Sequence, residues 1–200
     1  HESPPAVQFR YRVFRNPFVM FVIGPIYLFV MKYRFFPKNA QAKEKKSTII
    51  TNLLLAAILP GGSVITGVAP FLLMQLSVIV LSGMMGVWLF YVQHQFDPGY
   101  WARDSDWNEV DAAIHGSSYY NLPRVFQWRF GNIGIHHIHH LLPRIPNYRL
   151  HACYRENPEV QVTKPLTLRR SLASLRMNLW DEPGRMFLSF SQYRRLHKGA

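Results

Sequence analysis

Four of the nine histidines in this 200-residue chain fall within five positions, in the run Asn132-Ile133-Gly134-Ile135-His136-His137-Ile138-His139-His140-Leu141. On a helix, His136, His139 and His140 stand at i, i+3 and i+4, so their imidazoles share one face, while His137 points elsewhere. Neutral imidazole ligates iron, copper, zinc and nickel, and three of them on one helical turn outline a transition-metal site. The single cysteine, Cys153, allows no intrachain disulfide and no cysteine-based zinc motif. The metal chemistry therefore rests on histidine.

The elements that must position this turn are mostly apolar. From Ser47 to Phe96 there is no Asp, Glu, Lys or Arg. A stretch of that length holds two spanning helices of about twenty residues each, joined by a tight turn. Thr66-Gly67 and Pro70 place the turn near Val64–Pro70, with helices over Ser47–Ile65 and Phe71–Val92. Pro60-Gly61-Gly62 is expected to kink the first, and Ser82, Gly83 and Gly86 give the second a face that another helix can approach closely. Phe18 to Met31 is a shorter uncharged run with Gly24-Pro25 in its middle. It falls short of the roughly twenty residues of a span, and reads as an interfacial or re-entrant segment over 17–31, broken near Gly24-Pro25. A buried helix of a soluble core is its alternative.

Charge sets the orientation. Arg10, Arg12 and Arg15 precede the short apolar run, and Lys32, Arg34, Lys38, Lys43, Lys45 and Lys46 follow it. Basic flanks on both sides place both ends of that segment, and the chain from Gln93 onward, in the cytoplasm. His94 then leaves the second helix on the same membrane face as the cluster, which favours a ligand role over an interfacial one. The net charge of +12 points to an anionic partner. Nucleic-acid binding explains the charge but not the long uncharged stretch, so it is set aside.

Past the hairpin, Trp101, Trp107, Tyr119, Tyr120 and Trp128 suit either an interfacial aromatic belt or the lining of an apolar slot. Helices are expected around Trp107–Ile114 and Leu122–Trp128. His115, alone before Gly116-Ser117-Ser118, reads as structural. Pro143 and Pro146 end the histidine helix. Leu168, Leu172, Leu175 and Leu179 predict one amphipathic helix between Thr167 and Trp180. Arg194, Arg195 and Lys198 close a basic tail.

With these residues in hand, the chain resembles the C-terminal half of a membrane fatty acid desaturase of the bacterial acyl-lipid type. The matching stretches are Tyr11–Arg15 with Asn16-Pro17, Gly24-Pro25-Ile26-Tyr27 and Gly86 through His94, followed by Gly116-Ser117-Ser118. Gly131 through Leu141, Ile145-Pro146-Asn147-Tyr148 and Leu179-Trp180-Asp181-Glu182 continue the likeness in the same order. The resemblance implies an all-α integral membrane protein: a transmembrane hairpin over 47–92, the interfacial segment, and a cytoplasmic helical cap over 93–200, all within one domain spanning 1–200. It implies two irons held by three histidine boxes and one further histidine. His136, His139 and His140 would be the third box, His94 the further ligand, and Asn132 an outer-shell candidate. His137 carries no implied role. The first two boxes would lie upstream of Tyr11, and the chain, opening at His1, reads as part of a longer polypeptide that is inactive without them.

The implied activity is O2-dependent insertion of a cis double bond into an acyl chain of a membrane phospholipid. Electrons would come from a ferredoxin or cytochrome b5-type donor, and the bacterial cytoplasmic membrane is the expected location. Two alternatives stay open: a histidine-box hydroxylase or ketolase, and a truncated membrane protein that binds metal without catalysis.

Overall fold

A computed structural model describes residues 3–162 and 164–196; His1 and Lys198 lie outside the described residues. The chain divides into two compact units, His1–Trp88 and Leu89–Ala200.

In the first unit, helix α1 (Pro5–Phe14) meets helix α2 (Val19–Arg34) at a bend of 67°. The bend falls at Asn16-Pro17, where the Asn16 Oδ1 accepts from the Phe18 amide at 2.9 Å and so starts α2. The expected break at Gly24-Pro25 is thus corrected. Pro25 has no amide hydrogen and its ring would strike the carbonyl four residues back. The helix absorbs this by widening into π turns on either side, Val19–Ile23 and Tyr27–Met31, with the Gly24 amide donating to the Val19 carbonyl.

Helix α3 (Ala42–Thr66) opens with a capping box, Gln41 and Glu44 each accepting the other's amide. Pro60 lies inside it without ending it. Gly67, at φ 87°, makes the turn, a conformation glycine adopts freely, and helix α4 (Val68–His94) follows. Both helices overrun the boundaries expected from the uncharged stretch. At about 1.5 Å per residue they exceed the roughly 30 Å of bilayer hydrocarbon. No residue of α3 is buried, and Leu53, Leu54, Val64 and Ile65 are all exposed. Each such side chain left in water forfeits about 1.5–3 kcal/mol, so an apolar surrounding is what this surface fits. Both helices are long and apolar enough to cross a membrane.

Within this unit Gly83 does what its small size predicts. A Cβ there would stand 2.5 Å from the Pro25 Cβ of α2, whereas Gly86 has open space. Arg34 and Asn52 exchange bonds of 2.9 Å each, tying the end of α2 to α3.

The second unit begins with the last turn of α4. Helix α5 (Glu109–His115) is capped by Asn108, whose Oδ1 accepts from the Val110 and Asp111 amides. Strand β1 (Tyr120–Asn121), helix α6 (Arg124–Arg129), helix α7 (His136–Leu141) and helix α8 (Leu150–Glu156) follow. Strand β2 (Leu166–Thr167) pairs in parallel with β1, while β3 (Leu179–Asp181) and β4 (Met186–Leu188) form an antiparallel hairpin. The all-α expectation is therefore corrected to mostly helical with two small sheets.

The single amphipathic helix between Thr167 and Trp180 is also corrected. Helix α9 (Leu168–Ser171) gives way to a 3-10 run over Leu172–Arg176 and then to β3, before helix α10 (Phe190–Leu196). The leucine period marked the wrong face: Leu168 and Leu172 are exposed, while Ser171 and Ser174 are fully buried. The Tyr120 hydroxyl lies 3.0 Å from the Ser171 hydroxyl, and the Tyr91 hydroxyl donates to the Ser174 carbonyl at 2.8 Å. Those two phenols hold the segment by polar contacts.

Candidate metal centre

The segment Gly116–Tyr120 lies between the last turn of α4 and the start of α7. Its Ser118 amide donates to the Gln93 carbonyl at 2.9 Å, and its Ser118 carbonyl accepts from the His136 amide at 3.2 Å. The Tyr120 amide donates to the Gly134 carbonyl at 2.7 Å, and Tyr119 bridges Ile135. Gln93, buried, donates from Nε2 to the Ile133 carbonyl at 2.9 Å. Ser117 and Ser118 are small enough to be buried completely here, and a Cβ on Gly134 would run into the Tyr120 carbonyl. Small residues thus let α4 and α7 share one narrow spacer.

Below α7, Ile135, Ile138, Leu150 and Val160 form a core packed by Tyr119, Leu141, Ile145, Cys153 and Tyr154. His137 belongs to this core. It is fully buried, and its Nε2 donates to the Val160 carbonyl at 3.0 Å. Burial pushes its pKa down, partly opposed by that bond. A histidine without an expected role is therefore the one that fixes how α7 sits.

With the helix so fixed, His136 and His140, one turn apart, turn toward His94. The Nε2 atoms of His94 and His140 are 3.1 Å apart, as are those of His140 and His136. One nitrogen from each of the three lies within 4.8 Å of the others. Two imidazole nitrogens bound side by side to one metal at about 2.0–2.1 Å stand roughly 3.0–3.4 Å apart, so these separations fit a shared ion. The tautomer fits as well. His94 Nδ1 donates to the Phe90 carbonyl at 2.8 Å, which leaves its Nε2 lone pair facing the cluster. The pKa of His136 is pushed down to about 3, first by burial and then by the neighbouring imidazoles of His94, His140, His139 and His137. Burial lowers His140 too. Neutral imidazole is the form that ligates.

Two expected residues are placed differently. His139 stacks against His136 with centroids 5.5 Å apart and contributes no nitrogen to the three-atom cluster. The i+3 position leans to the side of the i/i+4 pair. The Asn132 Nδ2 donates to the Asn147 carbonyl at 3.1 Å. Gly131 and Asn132 both have positive φ, 60° and 56°, and make the left-handed turn that precedes the box. Glycine and asparagine are the residues that tolerate it. His115 is exposed at the end of α5 and is not in the cluster.

The fatty acid desaturase family profile matches residues 3–171. A fatty acid desaturase of Bacillus subtilis (strain 168) is 46% identical over 180 residues, covering 90% of this chain and 51% of the relative. The chain thus spans about half the length of the curated relative it matches. No solved structure matches it. A box helix facing a histidine at the end of an apolar helix and the match over most of the chain lead to one conclusion: this chain belongs to the fatty acid desaturase family.

Proposed function

We propose that this chain is the C-terminal part of a membrane acyl-lipid desaturase, an oxidoreductase that introduces a cis double bond into a fatty acyl chain at a histidine-ligated di-iron site. The observation that carries the reading is the convergence of His94, His136 and His140, with two nitrogen separations of 3.1 Å. His139, beside this set, would complete the ligands that this chain contributes to that site. Iron held there would supply the O2 activation needed to remove hydrogen from unactivated methylenes, a reaction no side chain can perform.

The residues of this chain have defined tasks. His94 is oriented by the Phe90 carbonyl, and α7 is held by His137 and the Ser118 carbonyl, so the three imidazoles meet without reorganisation. Burial of His136 keeps it neutral and sheds water from that side of the site. Its Nδ1 is buried with no hydrogen-bond partner among the described residues. Ligating imidazoles normally donate that hydrogen to an outer-shell acceptor, which the remaining part of the protein would supply.

In this reading α3 and α4 form a hairpin with both ends cytoplasmic, and residues 93–200 form a cytoplasmic cap of a single domain. Membrane phospholipid acyl chains are the substrate, and ferredoxin or a cytochrome b5-type protein supplies electrons. A hydroxylase or ketolase would use the same ligands and differ only in its product. The test is expression of the full-length parent in a bacterial host. Double bonds are read by gas chromatography of lipid methyl esters, and bound metal by elemental analysis. New double bonds and iron support the reading; hydroxylated chains move it to the alternative, and a metal-free inactive protein overturns it.

A further inference from the structure

We propose that α6 is an interfacial wedge that seats the cap on an anionic phospholipid surface, Val125 and Trp128 entering the headgroup–acyl boundary. The proposal rests on the reading of α3 and α4 as spanning helices. It begins with an unusual helix: of the six residues of α6 only Gln127 is buried. Val125 and Trp128, at i and i+3 and so on one face, are 73% and 79% exposed. Phe126 is exposed as well and stacks on Phe130, centroids 6.2 Å apart at 15°. In water this surface gains nothing. Tryptophan and aliphatic side chains with arginine beside them are what a membrane–water boundary takes up.

Charge identifies the occupant. Between Asp111 and Glu156 there is no carboxylate side chain, yet Arg124, Arg129, Arg144, Arg149 and Arg155 all fall there. Among the described residues the first four are exposed and their side chains have no ion pair or hydrogen bond. Tyr148, 72% exposed, lies in the segment 144–149, which the Asn132 bond to the Asn147 carbonyl ties to the turn just after α6. Free guanidiniums beside exposed aromatics match lipid phosphates.

Position supports the same occupant. Gln93, in the last turn of the apolar helix α4, bonds the Ile133 carbonyl, and the neighbouring Asn132 amide donates to the Gln127 carbonyl at 2.7 Å. Gln127 also donates from Nε2 to the Tyr120 carbonyl at 3.1 Å. Two hydrogen bonds and one peptide link thus separate the end of a membrane-length helix from the root of α6. The same links run to the histidine turn through Ile133.

The test uses the full-length protein in nanodiscs, with Cys153→Ser and one introduced cysteine carrying an environment-sensitive fluorophore at Val125, Val78 or Glu159. Phospholipids spin-labelled near the glycerol or near the chain terminus serve as quenchers, in phosphatidylcholine with and without phosphatidylglycerol. The label at 125 is expected to be quenched most by the shallow spin label, the label at 78 by the deep one, and the label at 159 by neither. Phosphatidylglycerol should deepen quenching at 125. The combined R124Q, R129Q, R144Q and R149Q variant should lose that gain, since each arginine at an anionic surface strengthens contact on the order of fivefold. Quenching at 78 but not at 125 overturns the wedge and leaves the face to a protein partner. Quenching at neither overturns the spanning reading and the wedge with it. Equal quenching at 125 in both lipids overturns the anionic preference. None of these readouts needs desaturase turnover, so failure of that activity is a separate result.

Discussion

The convergence of His94, His136 and His140 is owed to residues outside that candidate cluster, Gln93, Ser118 and His137. His94→Ala in the full-length protein is expected to abolish double-bond formation and lower bound iron, measured together by lipid chromatography and elemental analysis. His115→Ala, exposed and outside the cluster, should leave both near the parent level. Normal activity in the His94 variant would remove it from the ligand set. His137 separates structure from ligation. His137→Ala deletes a fully buried ring and its bond to Val160, a loss of about 2–4 kcal/mol. It should lower the thermal midpoint in detergent well before it changes the metal bound per folded molecule. An unchanged midpoint would sink that role.

At the scale of elements, helices α2 and α4 meet where Gly83 faces Pro25. Gly83→Leu is expected to overpack this contact by about 1–3 kcal/mol, read as a lower unfolding temperature. Gly86→Leu, with open space around it, should be close to neutral. The hairpin is tested by impermeant thiol labelling of intact cells after Cys153→Ser. Lys43→Cys and Asp104→Cys, both exposed, should resist the reagent, and Val64→Cys at the turn should react. Labelling of 43 and 104 from opposite sides would exclude a two-span hairpin with cytoplasmic ends.

Across the whole molecule, the 200-residue chain supplies four candidate ligands, His94, His136, His139 and His140. Loss of even an outer-shell partner typically weakens a metal site about 10–100-fold, and the two upstream boxes that the proposed function calls for would cost far more than that. The chain expressed alone is therefore expected to hold less than one tightly bound iron and to make no unsaturated lipid. Its imidazoles can still collect zinc or nickel, so the metal must be identified as well as counted. Two irons with new double bonds from this chain alone would show the catalytic site to be built otherwise.

What the sequence determined by itself are the features that depend on local composition and period. The uncharged stretch set two membrane-length helices, because burying charge in hydrocarbon is prohibitive and Gly67 is free to turn between them. The spacing His-x-x-His-His set the box, and its order after His94 set the family. Tertiary structure decided what spacing leaves open. His136, His139 and His140 are equivalent on a helical wheel, yet only the i/i+4 pair meets His94, because the Ser118 and Gln93 contacts fix the approach of α4. His137 became a core residue because a carbonyl in a distant segment, Val160, was there to accept its proton. Ser171, rather than the periodic leucines, turned inward beside the Tyr120 hydroxyl, and the Tyr91 hydroxyl holds the backbone of the same segment at the Ser174 carbonyl. Each of those outcomes depends on a partner between 18 and 83 positions away, a distance at which periodicity carries no information.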